Sequence, residues 1–327
     1  MTERSNFFFI RSQFMDPLSQ VIALSRPKSI TVGATDVGGS IAIGFPVHEG
    51  AYFYSVASGD CWLDIDGVTP LRLRAGDCVV LPSGRPFRLA SEVGLPVTDA
   101  AVVFGDRPNG SIGAYNGGGR CMMFAAHFVF DSGLSDFLLS VLDVVVRIHD
   151  PSAKAALQDG IEQMIRELQR GEPGSAMVVE HLAHIALIKT LRFHLSEVAN
   201  ERPGWLYALA DPRLGLAIGA MHADPAKRWS VALLARVGAM SRTAFAIRFK
   251  ARVGMTPMAY LLQIRMLIAT KRLLEPGARV AVVAQEVGYE SESAFNVAFK
   301  AKMGLPPRRY VATARSGMRS APESGAI

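Results

Sequence analysis

Two runs fifty residues apart set the same residue types at the same spacing. Ser241-Arg-Thr-Ala-Phe-Ala-Ile-Arg-Phe-Lys-Ala-Arg-Val-Gly-Met-Thr-Pro-Met-Ala-Tyr260 aligns without gaps on Ser291 to Tyr310, and nine of the twenty positions are identical. Among the repeated positions lie side chains suited to the edges of nucleic-acid bases. Arg242 can pair with guanine and Asn296 with adenine, and Glu292 can accept from a cytosine amine. Thr243, Ala246 and Ile247, with Ser293 and Val297 in the second run, fall on the same helical side as these polar groups. Lys250, Arg252, Lys300 and Lys302 suit phosphate contacts, which add affinity without sequence information.

Each run needs an element that holds it, and the flanking residues supply one. Val237-Gly238 and Val287-Gly288 mark turns that close short helices, because glycine tolerates the left-handed conformation. Ser241 and Ser291 can cap the next helix by accepting from its orphan amides. Phe245 with Phe249, and Phe295 with Phe299, are four residues apart and share one buried face. Gly254 and Gly304 end the helices. Helix, glycine turn, helix is the helix-turn-helix arrangement, whose second helix enters the major groove. A longer helix from about Met258 to Glu275 joins the two units.

Charge agrees with that placement. Residues 211 to 327 hold 18 Lys and Arg against 7 Asp and Glu, a net of +11, whereas residues 1 to 210 carry a net of −5. A basic third on an acidic body suggests a polyanionic partner. A duplicated α-hairpin serving only to pack is the competing reading. It leaves the basic segment and the joining helix unexplained.

The first half offers other chemistry. Arg72, Arg74, Arg85 and Arg88 cluster within the acidic body and could bind an anion through bidentate guanidinium contacts. Tyr52, Tyr54 and Trp62 could line a pocket or belong to the core. His48 and Glu49 form an isolated pair, and His181 and His184 share a helix face without an evident third ligand. Cys61, Cys78 and Cys121 are odd in number and widely spaced, which suggests neither a disulfide framework nor a zinc cluster.

At 327 residues two domains are expected. From about Asp16 to Met123 short apolar runs broken by Gly, Pro and Asp read as strands of a barrel or sandwich. Leu134 to Ile148, Ala153 to Gln169 and Met177 to Ala199 carry apolar residues at helical spacing. The tail after Arg315, rich in Ser, Gly and Pro, reads as disordered. Met1 to Asn6 lacks the basic start and apolar run of a signal peptide, and no apolar run approaches the roughly 18 residues of a membrane span. A cytoplasmic protein is expected.

Residues 212 to 312 resemble the DNA-binding domain of the AraC/XylS family of transcription regulators. The pattern Val287-Gly-Tyr-Glu-Ser-Glu-Ser-Ala-Phe295, then Phe299-Lys300 and Gly304-Leu-Pro-Pro-Arg-Arg-Tyr310, carries the resemblance. It implies seven helices, two recognition helices held by a central one, and promoter DNA as partner. It also implies a homodimer, frequent activation and a contact with RNA polymerase. Ile247 and Val297 depart from it, standing where many relatives carry arginine; an exposed aliphatic group there can meet a thymine methyl.

Residues 16 to about 120 resemble a cupin-type sensor, on His48-Glu-Gly-Ala-Tyr-Phe-Tyr54, Gly59-Asp-Cys-Trp-Leu63 and Gly76-Asp-Cys-Val-Val-Leu-Pro-Ser-Gly84. Metal-dependent cupins use two close His, a Glu and a distant His. Here Phe87 occupies the place of the distant His, so neither metal nor cofactor is expected. The expected organisation is an α+β chain: a β-barrel sensor over 1–130, a helical connector and dimerisation region over 131–204, a tandem helix-turn-helix domain over 205–315 and a tail over 316–327. The function read from it is an effector-controlled, DNA-binding transcription regulator, an activator rather than a repressor. The competing classes are a cupin enzyme with a basic tail and an architectural DNA-binding protein.

Overall fold

The computed structural model describes residues 16–320 apart from 25–26, 83, 106, 131–136, 138 and 199–201. The chain forms two compact units. One spans Pro27–Glu197; the other runs from Val198 and includes helix α1 (Pro17–Leu24). The β reading from Asp16 therefore gives way to a helix over its first residues, with Pro17 at the start where a missing amide is tolerated.

In the first unit the strands are β1 (Pro27–Val37), β2 (Ala42–Phe45), β3 (Ala51–Ser58), β4 (Asp60–Ile65), β5 (Leu71–Arg74), β6 (Cys78–Leu81), β7 (Phe87–Ala90) and β8 (Val97–Asp99). After helix α2 (Ala100–Phe104) come β9 (Ser111–Tyr115), β10 (Cys121–Phe130) and β11 (Val146–Arg147). They form a six-stranded sheet ordered β11-β6-β3-β10-β1-β9 and a five-stranded sheet ordered β5-β4-β7-β2-β8. The two sheets are separate hydrogen-bonded layers, so the expected barrel is a sandwich that is not closed. A second difference concerns Leu134 to Ile148, read as helical. Within its described part Val146 pairs with Val80 as a short strand, in keeping with three consecutive β-branched valines.

Helices α3 (Pro151–Arg170) and α4 (Ser175–Val198) cover the outer face of the larger sheet. This explains why β3 is apolar at successive positions instead of alternating. Ala51 and Phe53 pack under the helices with Leu157, Ile161, Met164 and Leu187. Tyr52, Tyr54 and Val56 face the smaller sheet with Phe45, Leu63 and Phe87. The smaller sheet has one wet face, and its strand β4 alternates accordingly: Cys61, Leu63 and Ile65 are buried, Trp62 and Asp64 less so. Asp77 fastens this assembly. Its nearly buried carboxylate accepts from the Arg74 amide at 2.9 Å and pairs with Arg147 at 2.8 Å and Lys154 at 2.7 Å. Burial alone would raise its pKa, but the Lys154 hydrogen bond and the other donors hold it below the usual value.

The second unit is helical. It comprises α5 (Trp205–Ala208), α6 (Pro212–Ala223), α7 (Val231–Val237), α8 (Arg242–Val253), α9 (Pro257–Leu274), α10 (Val280–Glu286), α11 (Glu292–Met303) and α12 (Pro307–Ser320). Residues 316–320, read as disordered, continue α12, while 321–327 lie outside the described residues. Helix α9 is buried along most of its length because it serves two cores. Its Tyr260 meets Phe249 in the first, and Met266, Ala269 and Leu273 join Phe295 and Phe299 in the second.

Candidate functional site

Helices α8 and α11 have nearly the same local design. Ser241 Oγ accepts from the Ala244 amide at 3.3 Å and Ser291 Oγ from the Ala294 amide at 3.2 Å. Gly254 and Gly304 end the helices in the left-handed conformation. Phe245, Phe249, Phe295 and Phe299 are fully buried. The opposite faces are open. Arg242, Thr243 and Lys250 are exposed on α8, as are Ser293 and Lys300 on α11, while Ala246, Glu292 and Asn296 are half-buried at the same faces. Ile247 is 66 % and Val297 73 % exposed, at equivalent positions of the two helices. Lys302 is exposed and Arg252 partly so.

The turns before these helices differ. Gly288 takes the left-handed conformation (φ 82°) as expected. Gly238 does not (φ −81°), and the left-handed residue of the first turn is Ala239 (φ 51°). Gly238 is required for a different reason: a Cβ on it would stand 2.9 Å from the Arg213 carbonyl oxygen.

Three contacts that sequence reasoning missed orient the two helices. Arg248 on α8 binds the buried Asp211, whose carboxylate also caps α6 through the Arg213 and Leu214 amides. Arg265 on α9 donates to the Pro225 and Lys227 carbonyls and lies over the Tyr289 ring. Arg228 pairs with Glu290, tying the loop after α6 to the turn before α11. The Asp211-Pro212 pair was the available signal for the first, since it reads as a helix start.

In the first unit the predicted effector residues separate. Tyr52 and Tyr54 lie between the sheets. The four arginines do not converge there. On β5 and β7 they alternate with the buried Leu73, Phe87 and Leu89, so Arg72, Arg74 and Arg88 point to solvent, and Arg85 is exposed in the preceding loop. Arg72 pairs with Asp60 at 3.0 Å, and Arg88 with Asp64 at 3.1 Å and Asp66 at 3.3 Å. Trp62 shares this outer face, opposite Arg72 in the β4–β5 register. Strand alternation turns Arg72, Arg74 and Arg88 outward, so the arginines do not share the space between the sheets with Tyr52 and Tyr54.

His48 has a neighbour that sequence reasoning missed. His127 lies with its ring centroid 5.9 Å from that of His48 and stacks on Tyr52 at 4.1 Å. Burial lowers the His48 pKa to about 4 and also lowers that of His127. Among the described residues no group of three or more His, Cys, Asp or Glu could hold a metal ion. His181 donates to the Met177 carbonyl and His184 rests near Phe128, which are local packing contacts.

Comparison with known proteins decides the family. The cupin family model matches residues 16–196 and a helix-turn-helix domain model matches 234–313. A Streptomyces lividans protein described as an AraC-like transcription regulator is 36 % identical over 84 % of this chain and 90 % of its own length. The chain belongs to the AraC family of transcription regulators. A second relative, the HTH-type transcriptional regulator AlkR of Acinetobacter baylyi, is 28 % identical over 84 % of the chain and 91 % of the relative. Among solved structures, the DNA-binding domain of AdpA in complex with a target DNA is 28 % identical; it covers 36 % of this chain and 99 % of its own, with a TM-score of 0.28. As an AraC-family member the chain is a DNA-binding transcription regulator and not an enzyme. No helix among the described residues is long and apolar enough to cross a membrane.

Proposed function

We propose that this regulator binds promoter DNA through α8 and α11 together, acts as a homodimeric activator, and is controlled by a small molecule held between the sheets of its first unit. The observation that carries the reading is the matched exposure of equivalent positions on α8 and α11, in a segment with a net charge of +11. Arg242 and Asn296 read guanine and adenine edges. Ile247 and Val297, exposed at equivalent positions, meet thymine methyl groups. Lys250 and Lys300 bind phosphates. A second copy is supported by α4, whose outward side carries the exposed Met177, Val178 and Ile185. Activation then follows from a contact with RNA polymerase at the bound promoter, in the cytoplasm.

Genome-wide mapping of DNA bound by the full chain, followed by titration of the recovered fragments at several salt concentrations, tests this. Affinity should fall steeply with salt as Lys and Arg displace condensed counterions. Failure to bind any recovered promoter fragment at low salt would overturn the reading.

A further inference from the structure

The inner face of the larger sheet carries a row of small residues leading away from one tyrosine. Across β3, β10, β1 and β9 the paired positions are Tyr54, Ala125, Gly33 and Ser111. Neighbouring strands lie roughly 4.8 Å apart, so the row runs on the order of 14 Å from the strand of Tyr54 to the sheet edge. Ala125, Gly33 and Ser111 fill little of that span. A cavity of about 40 Å³ remains, closed partly by Leu89, Phe104 and Met123. A buried water takes roughly 10–15 Å³ in this measure, so the space holds about three water-sized groups, too little for a bulky ring system.

Both ends of this trough are polar. Tyr54 is only 4 % exposed, and its buried hydroxyl has no hydrogen-bond partner among the described residues. Burial raises its pKa well above the ordinary value, so the phenol remains a donor. At the edge, the Arg107 guanidinium lies flat on Gly113, where a Cβ would stand 2.1 Å from its nearest nitrogen. It donates to the Ala114 carbonyl at 3.1 Å and to Thr35 Oγ1 at 3.4 Å, and it lies 5.7 Å from the centre of the Phe104 ring. None of those partners is negative. The charge is thus held in position beside the cavity without being neutralised by the groups that hold it, and a buried donor waits at the other end.

We infer that this trough binds a slender monocarboxylate that carries a neutral acceptor oxygen, such as a ketone, at the end remote from its carboxylate. The carboxylate lies on Arg107 and the ketone oxygen accepts from the Tyr54 hydroxyl. The inference rests on the reading of effector control given above, and it moves the anion site from the outer arginines to Arg107.

Calorimetric titration of the full chain with 5-oxohexanoate, 6-oxoheptanoate and 7-oxooctanoate tests it, with heptanoate as the control that lacks the ketone. At least one oxo acid should bind about tenfold more tightly than heptanoate. Arg107→Gln should weaken both by about tenfold or more. Tyr54→Phe should bring the oxo acid down to the level of heptanoate and leave heptanoate unchanged. Thermal unfolding and DNA binding without ligand should be at least as good in both variants as in the parent chain. Absence of binding by all three oxo acids at about 10 mM, or binding that survives both substitutions, overturns the proposal. If the oxo acid binds as described while DNA affinity and promoter output ignore it, the site stands and effector control falls. Loss of DNA binding in the parent chain itself would count against the regulator reading alone.

Discussion

Arg248 joins the first recognition helix to the start of α6: its Nε and its NH2 nitrogen approach the same oxygen of Asp211 at 2.7 and 2.6 Å. Asp211 is buried, and it also accepts from two amides at the N-terminus of α6. One carboxylate therefore caps a supporting helix and fixes the azimuth of α8. At the equivalent position of the second helix-turn-helix, alanine (Ala298) stands in place of the arginine.

Arg248→Ala should weaken binding at the half-site read by α8 more than at the one read by α11. It should also lower stability by about 1–2 kcal/mol, because Asp211 stays buried after losing a charged partner. Denaturant unfolding and footprinting of the full chain would measure both. Uniform weakening across the whole footprint would place the effect in global stability instead.

The contact of Gly288 with Ala226 makes a second test. Gly288 has φ 82°, and a Cβ there would stand 2.4 Å from the Ala226 carbonyl oxygen. Gly288→Ala should cost about 1–3 kcal/mol through backbone strain, with the clash adding to it. Because the strained turn sets the entry of α11, DNA affinity should fall along with the melting temperature.

Base and phosphate contacts separate by specificity. Arg242→Ala and Asn296→Ala should each cost on the order of 1–3 kcal/mol at the cognate site and relax sequence preference. Lys250→Ala should weaken cognate and random DNA equally and flatten the salt dependence. Equal losses on both DNAs for all three variants would refute the sorting.

The second unit should lose stability in mild acid. His222 is buried beside Tyr260, their polar atoms 2.7 Å apart, and burial lowers its pKa from 6.5 to about 4. The unfolded chain therefore takes up this proton before the folded one does. The stability contributed by neutral His222 is fully present above about pH 6.5, declines as the pH falls towards 4, and is lost below. The loss is on the order of 3 kcal/mol. His222→Gln should remove most of this dependence between pH 6.5 and 4, read by denaturant titration at fixed pH values.

Asp77→Asn should destabilise the first unit by about 3–5 kcal/mol, since Arg147 and Lys154 would lose their shared carboxylate within a largely buried site. The depressed pKa of Asp77 adds stability that is present above the usual carboxylate range and lost as pH falls through its lower folded value. Unfolding of the parent chain in acid should show that loss, and the asparagine variant should not.

Local chemistry carried much of this design in the sequence. The repeat of Ser, paired Phe and Gly specified two capped helices with one buried face, because capping and four-residue spacing act within a turn or two of chain. Those residues left the face of Arg242, Ile247, Asn296 and Val297 open, and short apolar runs broken by Gly, Pro and Asp announced the strands. Tertiary structure decided what depends on partners distant in sequence. The arginines at 72, 74 and 88 lie close together in the chain, yet strand alternation turned all three outward, where Arg72 meets Asp60 and Arg88 meets Asp64 and Asp66. Arg107 carried no motif; it became notable because β9 pairs with β1 and brings Gly113 beneath its guanidinium. Tyr54 looked like any core aromatic until the sheet register set Ala125, Gly33 and Ser111 beside it. The difference is physical: a helix cap is closed by residues three apart, whereas a cavity is shaped by side chains that only the pairing of four strands brings together.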